Sequence, residues 1–214
     1  MINKTRDRPT LARRRAPEEE RRETILRAAF AVAARDRLGG VTARAVAAEA
    51  GISSGLVFFY FESLDNLLVE LLDWLLAQTI VAGDTPDRLS HITDPGARMM
   101  LAIRRDVEWL PRQRERVELF FDYWVLGTRH PAIRKKIRRA LDRYRDAFEP
   151  LARALVDSDR DRYAGMTAEG LASVAAGFVE GCALQVVMDP EQFDVERAMT
   201  TLAALVRAPA SALA

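Results

Sequence analysis

Two serines in a glycine-flanked turn are the first residues of this sequence that could do chemistry. The segment Gly51-Ile52-Ser53-Ser54-Gly55 matches G-x-S-x-G, the pattern in which a serine hydrolase exposes its nucleophile between a strand and a helix. That chemistry needs a strand before the turn, and a histidine and an acid as partners elsewhere. The preceding residues, AVAAEA, are rich in alanine and have helical periodicity. The pattern therefore does not predict a hydrolase.

The same turn joins two short segments that have helical spacing. Thr42 can cap the first segment by accepting a backbone N–H at its open end, and Ser53 can cap the second. Gly51 lies between them, where the chain must enter a left-handed conformation that glycine adopts without strain. A small residue at Ala47 lets the second helix cross closely over the first, and the second helix should carry Val57 and Tyr60 inward. This spacing predicts a helix-turn-helix over 42–60, a motif whose second helix lies in the DNA major groove.

With the flanking segments ETILRAAFAVAA and FYFESLDNLL, the motif resembles the DNA-binding domain of the TetR (tetracycline-repressor) family. The resemblance covers 22–72 and implies a transcriptional regulator, by default a repressor, that binds a palindromic double-stranded DNA operator as a homodimer. Residues of the second helix would read bases, and residues around the turn would contact phosphates. The candidates for reading bases are Ser54, Gly55, Leu56 and Phe59, and those for contacting phosphates are Thr42, Arg44, Ser53 and Tyr60.

Two positions depart from the usual pattern of the family. The family commonly carries tyrosine where this chain has Phe58 and lysine where it has Leu64, and both usual residues touch DNA phosphates. Their absence predicts a smaller ionic contribution to DNA binding. Leu64 could instead be held by packing near Leu67 and Leu68.

The composition favours an all-α fold, because alanine, leucine and arginine dominate while β-branched residues are sparse. Helical periodicity beyond the motif predicts helices over 18–37, 63–82, 97–110, 114–129, 131–157, 167–188 and 194–206, about nine helices in all. Gly39 and Gly40 should end the first helix, and Pro150 should kink the one over 131–157.

The predicted organisation has three parts. Residues 1–17 hold six Lys or Arg against one Asp and are expected to form a flexible basic arm, either simply solvated or in contact with DNA phosphates. Residues 18–62 form the three-helix DNA-binding domain. Residues 63–214 form, as the resemblance implies, a helical domain that binds a ligand and makes the dimer.

A small-molecule site is expected among aromatic side chains of the second domain. Several come from helices that resemble the ligand-enclosing set of the family, namely Trp109, Phe120, Tyr123, Trp124, Tyr144, Phe148 and Phe178. The candidate polar groups are Asp122, Glu118 and Gln185. A carboxylate facing the site would favour a cationic or hydrogen-bond-donating ligand, and solvated acids would favour a neutral apolar one. The effector is expected to be mostly apolar, and each aromatic could equally be plain core.

Small residues are frequent in the segments 167–188 and 194–206. In the TetR family the last two helices pair with their twins into a four-helix dimer interface, although the same residues would also serve packing within one chain. The sequence shows no nucleophile–base or metal constellation, so neither an enzyme nor a cofactor is expected. The alternative function is a helical small-molecule-binding or interaction protein without effector-controlled release of DNA.

A cytoplasmic location is expected from the cysteine count and from the distribution of apolar residues. The single cysteine, Cys182, suits a reducing compartment. The N-terminal segment has no apolar core for a signal peptide. No run of the sequence is expected to span a membrane.

Overall fold

The computed structural model describes residues 11–79, 89 and 91–207, and these contain no β-strand. This confirms the expected all-α fold. The helices are α1 (Leu11–Gly40), α2 (Ala43–Ala50), α3 (Ser54–Phe61), α4 (Leu64–Thr79), α5 (Pro95–Trp109), α6 (Arg114–Gly127), α7 (Pro131–Ser158), α8 (Ala168–Met188) and α9 (Val195–Arg207). A short 3-10 helix, Leu110–Gln113, joins α5 and α6.

The chain divides into two compact units, Met1–Trp74 and Leu75–Ala214. The division falls inside α4, later than the boundary at residue 62 expected from the sequence. The physical reason is that the first part of α4 is anchored to α1. Glu70 forms an ion pair with Arg22, and the indole N–H of Trp74 donates a hydrogen bond to Glu23 over 2.9 Å.

The core of the first unit is built from one apolar face of each helix. The expected inward stripe of α1 is buried, and so are residues of α2, α3 and α4 that face it. The fully buried side chains include Ile25, Ala29, Val32, Val46, Val57, Phe61, Leu67 and Leu71. Burial of this apolar surface is the main force that holds the short α2 and α3 in place, because helices of eight residues are not stable alone.

Helix α1 differs from its prediction at both ends. It begins at Leu11, seven residues before the expected start, because leucine, alanine and arginine in LARRRA are strong helix formers. The helical dihedrals break at Arg37, which has φ of 62° and ψ of 174°, and not at the two glycines that follow it. Only glycine adopts this backbone region readily, so Arg37 carries conformational strain.

Replacing Arg37 by glycine should therefore stabilise the protein relative to the alanine variant. Arg37→Ala removes the side chain but keeps the strain, so Arg37→Gly should exceed it by about 1–2 kcal/mol in the free energy of unfolding. Urea unfolding of the two variants followed by helical circular dichroism measures the difference. Equal stabilities, or a less stable glycine variant, would show that the backbone at Arg37 is unstrained.

The second unit packs α5 to α9 around one apolar core. Helix α5 begins two residues before its predicted start, with Pro95 at its first position and the Asp94 carboxylate accepting the Ala97 N–H over 2.5 Å. Helix α7 continues through Pro150 and turns an apolar face inward. The buried residues of that face are Ile133, Ile137, Ala140, Phe148, Leu151, Ala152 and Leu155, most of which the periodicity predicts.

Helix α8 is long and apolar enough, by length and composition, to cross a membrane. The sequence had not singled out this segment as long and apolar enough to be a candidate. Core helices of soluble proteins pass the same test, and α8 has a face buried within its own unit. The buried residues are Ala168, Ala172, Ala175, Ala176, Val179, Cys182, Ala183 and Val186. Burial raises the pKa of the Cys182 thiol to about 11, in keeping with a packing role for this residue.

Candidate functional site

The turn between α2 and α3 has the geometry that its sequence predicts. Gly51 is left-handed, with φ of 65° and ψ of 35°, and its N–H donates back to α2. The Thr42 hydroxyl accepts the Ala45 N–H over 3.1 Å, and the Ser53 hydroxyl accepts the Leu56 N–H over 3.3 Å. Each hydroxyl accepts a hydrogen bond from an N-terminal amide that has no partner within its own helix. The turn therefore fixes the angle at which α3 leaves α2.

One face of α3 is buried and the other is open to solvent. Val57 and Phe61 point into the core, as their spacing of four residues requires. Tyr60 was predicted in the second inward position, but its side chain is half-buried and the ring of Phe61 takes that place. On the outer face Phe59 is 76% exposed and Phe58 is 46% exposed.

All eight residues predicted to contact DNA reach the surface of the first unit. Five are exposed, and the other three are half-buried on α3. The exposed residues are Thr42, Arg44, Ser53, Gly55 and Phe59, and the half-buried ones are Ser54, Leu56 and Tyr60. Helix α3 itself carries no charged side chain. The chemistry it can offer a base pair is the Ser54 hydroxyl and apolar contact with thymine methyl groups.

Arg22 connects three helices of the first unit, a role that the sequence did not reveal. Its guanidinium donates to both carboxylate oxygens of Glu70 on α4 and to the carbonyl of Tyr60 at the end of α3. The same group lies 4.7 Å from the centre of the Phe61 ring. Because Nη2 donates to the carboxylate and Nη1 to the carbonyl, the contact uses two separate nitrogens of one guanidinium, and the cation–π contact adds to it. Arg22 therefore stabilises the position of α3 between its neighbours.

A cavity of about 120 Å³ lies within the second unit. Its walls come from the last part of α4, from α5 with the 3-10 helix, and from α6, α7 and α8. The lining residues are Leu76, Asp106, Trp109, Leu110, Val117, Phe120, Phe121, Trp124, Ala140, Leu141, Tyr144, Val179, Glu180 and Ala183. Four residues expected from the sequence are among them, namely Trp109, Phe120, Trp124 and Tyr144.

The other predicted ligand residues lie outside this cavity. Residues 117, 120, 121 and 124 share one face of α6, so Asp122 and Tyr123 project elsewhere, and Tyr123 is fully buried. Phe148 is buried with its ring edge against Tyr144, 5.2 Å between centroids, which corrects the expectation that it would line the cavity. Phe178 lies in a groove beside α9, and Gln185 is exposed.

Two carboxylates in the cavity wall are not among the ligand-binding residues predicted from the sequence. The Tyr144 hydroxyl donates to Asp106 over 2.6 Å. Burial raises the pKa of Asp106, against the opposing effects of that hydrogen bond and of Arg105. Burial also raises the pKa of Glu180, opposed by the charge of Arg145. A signal for Glu180 was present, because it is the one charged residue of the apolar stretch 170–188.

Both of these acids affect the pKa of the Tyr144 hydroxyl. Its pKa lies well above the ordinary value, because of burial first and then because of the negative charges of Asp106 and Glu180. The hydroxyl of Tyr144 therefore stays protonated and can keep donating to Asp106. Both carboxylates are close enough to this hydroxyl to act on it electrostatically.

The chain matches two family models. The first, bacterial regulatory proteins of the tetR family, covers residues 25–71. The second, the C-terminal region of BetI-type transcriptional repressors, covers residues 95–209, more than half of the chain. The chain is a TetR-family transcriptional regulator. This confirms the resemblance seen in the helix-turn-helix and its flanking segments.

Relatives of this TetR-family regulator support the same assignment. An HTH-type transcriptional regulator from the dhlA 5′ region of Xanthobacter autotrophicus is 27% identical over 155 residues, 72% of this chain and 74% of the relative. A transcriptional regulator from Saccharomonospora viridis, solved in complex with choline, is 21% identical, covers 88% of this chain and 96% of its own, and has a TM-score of 0.71.

A third protein shows how widely the ligands of this fold differ. The regulator FadR from Bacillus subtilis, solved in complex with stearoyl-CoA, is 17% identical, covers 86% of this chain and 96% of its own, and has a TM-score of 0.68. At these identities the likeness shows the fold alone. Choline and stearoyl-CoA have little in common, so the fold alone does not indicate a ligand.

Proposed function

We propose that this TetR-family regulator is a homodimeric repressor that binds a palindromic operator and is released from it by a small molecule. The observation that carries the proposal is the exposed face of α3, which lies beyond a well-formed turn and offers Phe59 and Ser54 to a major groove. The regulator acts by binding and not by catalysis, needs no cofactor, and works in the cytoplasm.

The contacts with DNA divide by position. Ser54, Gly55, Leu56 and Phe59 meet the base edges. Thr42, Arg44, Ser53 and Tyr60 set the position of the motif on the phosphates. Because α3 has no charged side chain, most of the specificity comes from apolar contact with thymine methyl groups and from the shape of the DNA.

A dimer is supported by the outer faces of α8 and α9. Val174, Leu184 and Met188 are exposed on α8, and Leu205 is exposed on α9. Apolar side chains grouped at the surface of a single chain are typical of an interface. One helix-turn-helix also makes few contacts for tight specific binding, whereas two that are coupled by a dimer read two half-sites.

The effector site is the cavity between α5, α6, α7 and α8. It is mostly apolar with a few convergent polar groups, the usual character of a small-molecule site. The cavity belongs to the second unit, and the candidate DNA-binding surface belongs to the first. The ligand-bound neighbours support a small-molecule role for this part of the fold.

The decisive experiment is selection of DNA fragments by the purified full-length protein. We expect enrichment of fragments that carry one inverted repeat, including DNA upstream of the regulator's own gene, and one dimer bound per repeat by light scattering. Failure to select any sequence from genomic or random duplexes at moderate salt would contradict operator binding. Selection of a single half-site by a monomer would contradict the dimer.

Leu64 is half-buried at the start of α4, at the position where the family commonly carries a lysine that touches a phosphate. A lysine substitution there tests whether that phosphate contact can be restored. Leu64→Lys should steepen the dependence of operator affinity on salt by roughly two charges per dimer, because each half-site gains one phosphate contact. The uncharged variant Leu64→Gln is the control, and melting temperatures should be recorded for both. An unchanged salt dependence in a stably folded lysine variant would show that position 64 does not face the DNA backbone.

A further inference from the structure

The cavity of the second unit combines aromatic walls with acidic groups. Among the described residues that line it, two are acids and none is Lys, Arg or His. The aromatic side chains come from α5, α6 and α7, so they surround the space and do not form one flat patch. A site with this composition combines acidic groups with a wall of low polarity.

We propose that the cavity binds a compact organic cation, an ammonium group on a small apolar body, with the positive charge facing Asp106 and Glu180. The inference goes beyond the proposed function by naming the chemical class of the ligand. It rests on that function only for the further step in which the cation acts as the effector.

The two carboxylates have spare capacity for such a ligand. Asp106 receives one hydrogen bond at Oδ2, from Tyr144. Within the described part of the chain, the side chain of Glu180 has no hydrogen-bond or ion-pair partner. Arg105 and Arg145 favour the charged forms of the acids from outside the lining, too far to pair with them. A carboxylate half out of water is stabilised by an opposite charge at short range.

The aromatic rings provide the second part of the site. Phe121 and Trp124 stack almost in parallel, at 6° and 6.0 Å between centroids, and Phe120 lies 6.2 Å from Trp124. Trp109 of α5 and Tyr144 of α7 add two further aromatic rings to the lining. The negative face of an aromatic ring attracts an alkylammonium group, and tryptophan does so most strongly. These rings would accept the apolar body of the ligand as well.

The volume limits the size of the ligand. At about 120 Å³ the cavity lies well below the roughly 300–1,000 Å³ of sites that hold drug-sized molecules. A long acyl chain would not fit without movement of the walls. An anion of the same size is disfavoured, because it would face two acidic groups and no Lys, Arg or His among the described lining residues.

The test is calorimetric titration of the full-length protein at neutral pH with three compounds of similar shape. The probes are phenyltrimethylammonium, the neutral N,N-dimethylaniline and the anion benzoate. We expect the cation to bind at least about tenfold more tightly than the neutral amine, since the charge is the main difference between them, and benzoate not to bind.

Substitutions of the two acids then test whether the cation binds beside them. Glu180→Gln and Asp106→Asn should each weaken binding of the cation by about tenfold. Glu191→Gln, which makes the same change at an exposed site just after α8, should leave it unchanged. The melting temperature of each variant without ligand shows that it is folded. The proposal is overturned if the neutral amine matches the cation, if both cavity variants keep full affinity, or if the cation does not bind at millimolar concentration.

Gel shifts on the selected operator separate this inference from the proposed function. Release of DNA by phenyltrimethylammonium would support both. A cation that binds in calorimetry but leaves the DNA complex intact would support the cation site and contradict its role as effector. A protein that selects no DNA would contradict the proposed function, while the titration would still decide the ligand class.

Discussion

Phe61→Ala should unfold the DNA-binding unit, whereas Phe59→Ala, two residues earlier on the same helix, should leave it folded and unable to bind its operator tightly. Phe61 is 1% exposed and carries the guanidinium of Arg22 over its ring. Truncating a buried phenylalanine costs about 3–5 kcal/mol, a large part of the stability of a small unit. Phe59 is 76% exposed, so its loss removes almost no packing.

The two variants are each other's control. For Phe59→Ala we expect an unchanged melting temperature and operator affinity about tenfold weaker for each half-site, since a lost base contact costs about 1–3 kcal/mol. For Phe61→Ala we expect loss of protection from hydrogen exchange across α1 to α3. A stably folded Phe61→Ala protein would contradict the core described above. Full operator affinity in Phe59→Ala would show that the outer face of α3 does not read bases.

Gly181→Phe should produce monomers that are folded and bind DNA weakly. Apart from the backbone of its own helix, a Cβ at Gly181 would meet no atom of the described residues within 4 Å, so one protomer has room for a larger side chain. If α8 pairs with its twin, a phenylalanine there would hold the two helices apart. Uncoupling the two helix-turn-helix motifs should weaken operator binding by about a hundredfold, because the second half-site then no longer adds to the affinity of the first.

Two further variants control for the effect of substituting this glycine and for the effect of adding a phenylalanine to the surface. Gly181→Ala should keep the dimer, and Arg143→Phe places the same bulky ring at an exposed position of α7 and should change neither assembly nor DNA binding. Light scattering at micromolar concentration measures the assembly state of each protein. A Gly181→Phe protein that remains dimeric would show that this part of α8 lies outside the interface.

Features that depend on neighbouring residues could be predicted from the sequence. Thr42, Gly51 and Ser53 determine the turn through hydrogen bonds and dihedrals that span only three or four residues. The inward stripe of α7 follows from helical periodicity alone. In each case the energy that fixes the structure arises within one or two turns of chain.

Features that depend on residues far apart in the sequence could not be predicted from it. Helical spacing predicted Tyr60 inward, but Phe61 takes that place, with its ring against Arg22, which lies 39 residues earlier in the sequence. The pairing of Tyr144 with Asp106 joins α7 to α5, so neither residue alone indicates a polar group in the cavity. The strain at Arg37 runs against the local preference, which favoured a break at the following glycines.

The positions of the tryptophans give each unit its own optical reporter. Of the three in the chain, Trp74 lies in the first unit and donates to Glu23, while Trp109 and Trp124 line the cavity of the second. In a protein in which Trp109 and Trp124 are replaced by phenylalanine, all tryptophan fluorescence would come from the DNA-binding unit. Its emission during denaturation would report whether that unit melts together with the remainder of the chain or separately from it.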